Sequence, residues 1–340
     1  MKGLEPFKGV PQLIQDPSYR KQLGLPDKVM ESYQLLAQGE YNVNFKWIHP
    51  YTHKPLLLRI NTGSQIHAKN QIGYEAHALE LLKKSGHTPH VWGCWPKDAH
   101  RPYGVLVESW LPGHALDYRT ECGLGMQILA DIHNIRLTTD CGLIVPKDPL
   151  VAILEECEDM FSVYVQSSNR NPYTQAHIRS MLDKAWQIQK QNIVPMSYRC
   201  CVNTELNNGN FLINGNTKTN YLIDWEKPVY SEPAQDLGHF LAPTTTFWKT
   251  DVIFDQAMVD ALLKEYIHAV NGRFCLDGLV ERTHTYLSVT CMRGITYCAM
   301  AWVQYQQPDR LIYNTETKEK LDRYLDDEFL DWIEANYLTS

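Results

Sequence analysis

The apolar positions change period twice along the chain. Residues 33–38 alternate until Gly39 interrupts them, Val43 to Ile48 reads as a second strand, and Leu56 to Ile60 as a third after the turn-like stretch His49 to Pro55. Ile72, Ala76, Leu79 and Leu82 then recur every three or four residues, which predicts a helix ended by Ser85-Gly86. Two more strands follow near Val91 to Cys94 and Tyr103 to Val107, and Pro112-Gly113 marks a break. Beyond about residue 115 the period is helical over 121–136, 149–168, 173–190, 252–271, 278–305 and 315–337. A strand-rich island from Tyr198 to Trp225 interrupts that run, and residues 1–30 read as an irregular arm with at most one short helix. The predicted organisation is an N-terminal arm at 1–30, a β-rich lobe at 31–110 and a helical lobe at 111–340.

A chain of 340 residues suits two unequal lobes better than one core. Hydrophobic residues at 44% and charged residues at 21% are ordinary for a globular protein. The net charge of -7 disfavours a general nucleic-acid binder, whose phosphate partner calls for a basic footprint. No apolar run approaches the roughly 18–20 residues of a membrane span, and the start lacks the apolar stretch of a signal peptide, so neither membrane nor nucleic acid is expected as a partner. The nine cysteines form no CxxC pair, which removes the zinc-ribbon and redox-motif readings. An odd count without a secretory signal points to reduced thiols and a cytoplasmic location. No coiled-coil heptads run long enough to fix an oligomeric state.

The chemistry lies in the island. Phe211 to Ile213 and Tyr221 to Ile223 are short apolar strands around the turn signal Asn214-Gly215-Asn216. A hairpin of this kind brings Asn210, before the first strand, beside Asp224, after the second. An amide oxygen and a carboxylate at one edge form a hard donor set suited to Mg²⁺ bridging phosphate oxygens. Glu205 precedes Asn210 with four residues between them, the spacing of a kinase catalytic loop, in which the acid orients the attacking hydroxyl and the Asn holds a metal.

With these features in order, the chain resembles the aminoglycoside phosphotransferase and choline kinase-like family over roughly residues 30–305. Gln38-Gly39-Glu40-Tyr41-Asn42 looks like its nucleotide loop, Leu56 to Ile60 like its third strand, with Arg59 at the phosphate-contacting position, and Tyr74 to Leu79 like the helix whose Glu75 pairs with that cation. Val105 to Gly113 looks like the hinge, Leu129 to His133 like the helix before the catalytic loop, and Ile223 to Glu226 with Pro233 and Asp236-Leu237 like the metal-binding segment and its acidic anchor.

The resemblance implies an α+β, bilobal protein-kinase-like fold with a small β-rich N-terminal lobe and a larger helical C-terminal lobe. It implies a kinase that moves the γ-phosphate of ATP to a hydroxyl of a small molecule, of the amino sugar, sugar or amino alcohol class. Asn210 and Asp224 would hold Mg²⁺, and Glu205 would act on the acceptor. Gly39, Asn42, Arg59 and Glu75 would serve the phosphates, and backbone groups near Glu108 to Trp110 the base. Asp236 would support the catalytic loop. Two positions depart from the family pattern, with Glu205 in place of Asp and Asn203 in place of His. The alternative they raise is a nucleotide-binding pseudokinase with a regulatory role, and other nucleotide chemistry on the same fold, such as nucleotidyl transfer, is a third reading. For the acceptor, Glu155, Glu156, Glu158 and Asp159 suggest a cationic molecule, and Phe247, Trp248 and Trp302 an aromatic wall. A solvated helix face and core packing are the plainer readings of these two groups.

Overall fold

Alternation within three strands decides which side chains meet. In the computed structural model, which describes residues 3–39, 41–64, 66, 68–306 and 315–339, a five-stranded antiparallel sheet forms from β1 (Gln34–Gln38), β2 (Asn42–Ile48), β3 (Pro55–Asn61), β4 (Val91–Trp95) and β5 (Gly104–Ser109), in the order β1-β2-β3-β5-β4. Val43, Phe45 and Trp47 of β2, Leu56, Leu58 and Ile60 of β3, and Val105 and Val107 of β5 are buried in one apolar cluster. Because successive side chains point to opposite faces, Arg59 falls on the reverse face, as does Glu108. There the helix Gln71–Leu82 lies against the sheet, and Ile72 comes so close to Gly104 that a Cβ on the glycine would meet Ile72 Cγ2 at 2.6 Å.

The chain divides into two compact units. The first comprises Met1–Leu116, Ile128–Leu143 and Gly209–Pro228. The segment read from sequence as an irregular arm forms two short helices, Val10–Gln15 and Pro17–Leu23, each with proline in its first turn. Leu4, Val10, Ile14, Tyr19 and Leu23 are buried in the same cluster as the strand residues. The sequence reading allowed at most one short helix here, because six or seven residues are too few to show a 3.6 period. Arg20 fixes them. Its guanidinium is 2% exposed and donates to Glu31, to the carbonyls of Ile14 and Lys28, and to that of Pro26.

The second unit comprises Asp117–Gln127, Ile144–Asn208 and Val229–Ser340. Its longest helix, Leu279–Tyr305, buries Tyr286, Leu287, Val289, Met292, Ile295 and Ala299. Pro149–Gln166, Pro172–Gln191 and Pro233–Leu241 pack against it. Asp148 and Asn171 cap the first two through their side chains, with proline following each cap. Gly238 permits the third crossing, because a Cβ there would meet Tyr286 Cβ at 2.4 Å. The helices Pro233–Leu241 and Pro243–Lys249 add to the segments predicted, and 315–337 proves to be two helices, Thr315–Tyr324 and Asp327–Tyr337. Asp326 ends that continuity by capping the second helix, its side chain accepting the Glu328 N–H. Among the described residues no helix is long and apolar enough to cross a membrane.

Arg20→Met should cost about 3–5 kcal/mol, because it strands the Glu31 carboxylate without its cation. Hydrogen bonds from Arg20 hold Glu31 below the usual carboxylate range although burial pushes it up. An acid with a depressed folded pKa contributes stability above its unfolded value and loses it as pH falls. The deficit of the variant in urea midpoint should therefore be largest at neutral pH and shrink below about pH 4.5, near the model-peptide value for Glu.

Candidate active site

The first unit builds a charge cluster around one guanidinium. Arg59 Nη1 donates to Glu75 Oε1 at 2.7 Å and Arg59 Nη2 to Asp224 Oδ1 at 2.6 Å. The cation thus links strand β3, the helix Gln71–Leu82 and the segment after the hairpin. Glu75 and Glu108 are both buried, and Glu226 adds a further negative charge felt by Glu75. Burial pushes the Glu75 carboxyl up to about 8, with Arg59 pulling it down and Glu108, Asp224 and Glu226 adding to the rise. Burial likewise pushes Glu108 up to about 7, against Arg59 and with Asp224. Four acids around Arg59 leave negative charge in excess. Glu75 Oε2 is buried without a hydrogen-bond partner among the described residues.

The predicted hairpin forms, but with a longer connection than a tight turn at Asn214-Gly215: residues 214–220 join the strands, with Asn214 N–H donating to Asn220 Oδ1 at 2.7 Å. Phe211 pairs with Leu222, Leu212 pairs with Tyr221, and Ile223 N–H donates to the Asn210 carbonyl at 2.9 Å. Asn210 and the residue preceding Asp224 are therefore joined by the backbone. A short strand absent from the sequence reading, His114–Ala115, pairs with the other edge of Phe211–Ile213. Asp224 has φ +64°, a left-handed conformation unusual for a residue with a Cβ. The segment after it is fixed by three side chains: Asn42 Nδ2 donates to Glu226 Oε2 at 2.6 Å, Gln71 to the Glu226 carbonyl at 2.6 Å, and the Tyr74 hydroxyl to the Pro228 carbonyl at 2.5 Å.

In the second unit the loop that carries Glu205 has four consecutive amides held. Asp236 accepts from Asn203 N–H and from Thr204 N–H, both at 2.9 Å. Asn203 Oδ1 accepts from Glu205 N–H at 3.0 Å, and His239 Nδ1 from Leu206 N–H at 3.2 Å. Thr204 sits at φ +71°, a strained conformation that these bonds hold. Asn203 thus supplies a loop-fixing acceptor from the position where the family pattern has His. His239 was missed in the sequence. Its signal was its place three residues after Asp236, one turn along the same helix face.

The other predicted positions have definite surroundings. Gly39 is exposed, and its N–H closes a tight loop onto the Asn42 carbonyl at 2.8 Å, while Glu40 of that loop lies outside the described residues. Asn42 is buried, with its Oδ1 accepting from Asn61 at 2.9 Å. Ser109 N–H donates to the His90 carbonyl and Trp110 N–H to that of Pro55, and Lys46 Nζ stands 3.4 Å over the Trp110 ring. Several of the candidate acceptor groups are already engaged, while Glu155 and Asp159 are exposed. Glu156 pairs with Arg293, Glu158 pairs with Arg179 and Trp186, and Phe247 packs among Tyr324 and Phe329. Trp302 donates to Asp322.

The chain belongs to the phosphotransferase enzyme family, whose model matches residues 32–279. Its expected family and enzyme class are borne out by that match. No curated protein matches the chain in sequence. Solved structures share its fold. A spectinomycin phosphotransferase in complex with ADP and spectinomycin is 13% identical, with TM-score 0.60 over 91% of this chain and 93% of that one. Choline kinase from Cryptosporidium parvum is 12% identical, with TM-score 0.61 over 95% and 93%. Plasmodium vivax ethanolamine kinase is 11% identical, with TM-score 0.60 over 89% and 84%. The predicted α+β, protein-kinase-like fold is the fold of these structures.

Asp236→Ala should destabilise the protein by about 3 kcal/mol, because it removes two charge-assisted hydrogen bonds and leaves one buried and one partly buried donor unpaired. Asp236→Asn keeps one acceptor and should cost less. Equal urea midpoints for wild type and Asp236→Ala would show that the loop is held by other means.

Proposed function

We propose that the chain transfers the γ-phosphate of ATP to a hydroxyl of a small molecule, of the amino sugar, sugar or amino alcohol class. The observation that carries this reading is the Arg59 guanidinium, held between Glu75 and Asp224. A cation clamped in this way keeps its place while its charge serves phosphate oxygens. Neighbours named for spectinomycin, choline and ethanolamine support the acceptor class.

Magnesium fits the residues present. Asp224 and Asn210 offer a carboxylate and an amide oxygen, hard donors of the kind this ion takes, and the excess of acid around Arg59 favours a divalent cation. When bound, the ion would neutralise charge on the phosphate oxygens. Arg59 would neutralise more of that charge and Glu75 would hold it in place. The N–H groups of Ser109 and Trp110 are spent on His90 and Pro55, so the base would meet carbonyls of Glu108 to Trp110 and a donor further along. Gly39 and Asn42 would bound the phosphate loop.

Glu205 would accept a hydrogen bond from the acceptor hydroxyl and orient it. Phosphoryl transfer through a loose transition state asks mainly for alignment, so a rigid loop matters more than a strong base. Four held amides from Asn203 to Leu206 supply that rigidity and favour the active reading over the pseudokinase raised by Glu205 and Asn203. We place the protein in the cytoplasm, with a nucleotide-binding N-terminal lobe and a catalytic helical lobe.

Mg²⁺ with ATP should raise the melting temperature by several degrees, since a ligand that binds the native state alone stabilises it. Glu205→Ala should keep that shift while losing about 10²–10⁴-fold in transfer, the range for a positioned acid or base. The measurement is ADP production across amino sugars, sugars and amino alcohols. Absence of a nucleotide shift would remove the kinase reading, and unchanged turnover in Glu205→Ala would remove that residue from the mechanism.

A further inference from the structure

A second group of ligating side chains stands apart from the phosphoryl-transfer residues, within the second unit. His177 lies on the helix Pro172–Gln191, and Asp331 and Glu334 lie on Asp327–Tyr337. The acids are three residues apart, so they share one helix face. One ligand atom from each of the three side chains lies within 4.8 Å of the other two. His177 Nε2 is 3.2 Å from Glu334 Oε2 and 3.7 Å from Asp331 Oδ1. In a tetrahedral Zn²⁺ site with bonds of about 2.0–2.1 Å, neighbouring ligand atoms stand about 3.3–3.4 Å apart. Both distances bracket that edge, so small side-chain movements suffice to close three ligands on one ion.

We propose that His177, Asp331 and Glu334 form a transition-metal site, for Zn²⁺ or an ion of like geometry, that clamps the C-terminal helix onto Pro172–Gln191. The protein supplies one imidazole nitrogen and two carboxylate oxygens, and the fourth position takes water. The surroundings suit the assignment. Lys184 Nζ holds the other oxygen of Glu334, Oε1, at 2.9 Å, which leaves Oε2 facing His177. Leu330 and Ile333 are fully buried beside the acids, so the helix that presents them is already seated. His177 and Glu334 are partly buried, while Asp331 is 74% exposed and gives an ion a route in from solvent.

The test uses the full chain with Zn²⁺ alone and with Co²⁺ as a spectroscopic stand-in. Saturating Zn²⁺ should raise the melting temperature by about 3–6 °C. Co²⁺ should give the visible bands of a tetrahedral site without a thiolate charge-transfer band, which separates these ligands from the cysteines. His177→Ala should weaken binding at least about tenfold and remove the Co²⁺ bands. Asp331→Asn changes an exposed residue and should weaken binding similarly without harming the fold, so it decides the matter if His177→Ala misfolds. No Zn²⁺ shift in the wild type, an equal shift in the variants, or a thiolate band would each overturn the site.

Discussion

A buried guanidinium between two carboxylates organises the first unit. Arg59 sits on the face of β3 opposite the apolar cluster, where strand alternation puts it. Its two nitrogens reach Glu75 on a helix and Asp224 beyond a hairpin, residues separated from it by 16 and 165 positions. A charge buried without partners would be costly, so the helix and the hairpin segment must arrive where they do for the fold to be stable. The interaction that defines the candidate site is also a condition of folding this unit.

Such a cluster carries more acids than cations. Glu75, Glu108, Asp224 and Glu226 act on one another through a buried medium, and Arg59 offsets only part of their charge. Burial raises Glu75 and Glu108 toward neutrality, the cheapest response of carboxyl groups that have too few cations. A divalent cation would supply the missing charge.

The loop at Asn203 to Leu206 applies a different device. It needs a left-handed residue at Thr204, and Thr is a poor choice for that conformation. Asp236 and His239 offset the strain by binding its amides from one helix. The substitution of Asn for His at 203 keeps a side-chain acceptor within the loop. One longer acid at 205 then stands on a backbone that is firmly held.

Much of this was legible in the chain itself. Alternation in β2 and β3 and the 3.6 period from Ile72 to Leu82 rest on local sterics and on burial of one face, so the strands and the helix follow from nearby residues, and the two apolar runs of the island follow as a hairpin though not its register. The adjacency of Asn210 to the end of the second strand follows from the pairing of those two strands. What the chain could not reveal depends on distant partners. The packed N-terminal helices exist because Leu4 to Leu23 find apolar surface on β2 and β3. Two of the acids on Pro149–Gln166, Glu158 and Glu156, pair with Arg179 and Arg293, far along the chain. Asn210 beside the end of the hairpin was determined by sequence because two neighbouring apolar strands pair across a short loop. The clamp of Asp224 by Arg59, and the charge excess around it, was decided by tertiary structure, because burial and long-range pairing set the energy of every charge in that cluster.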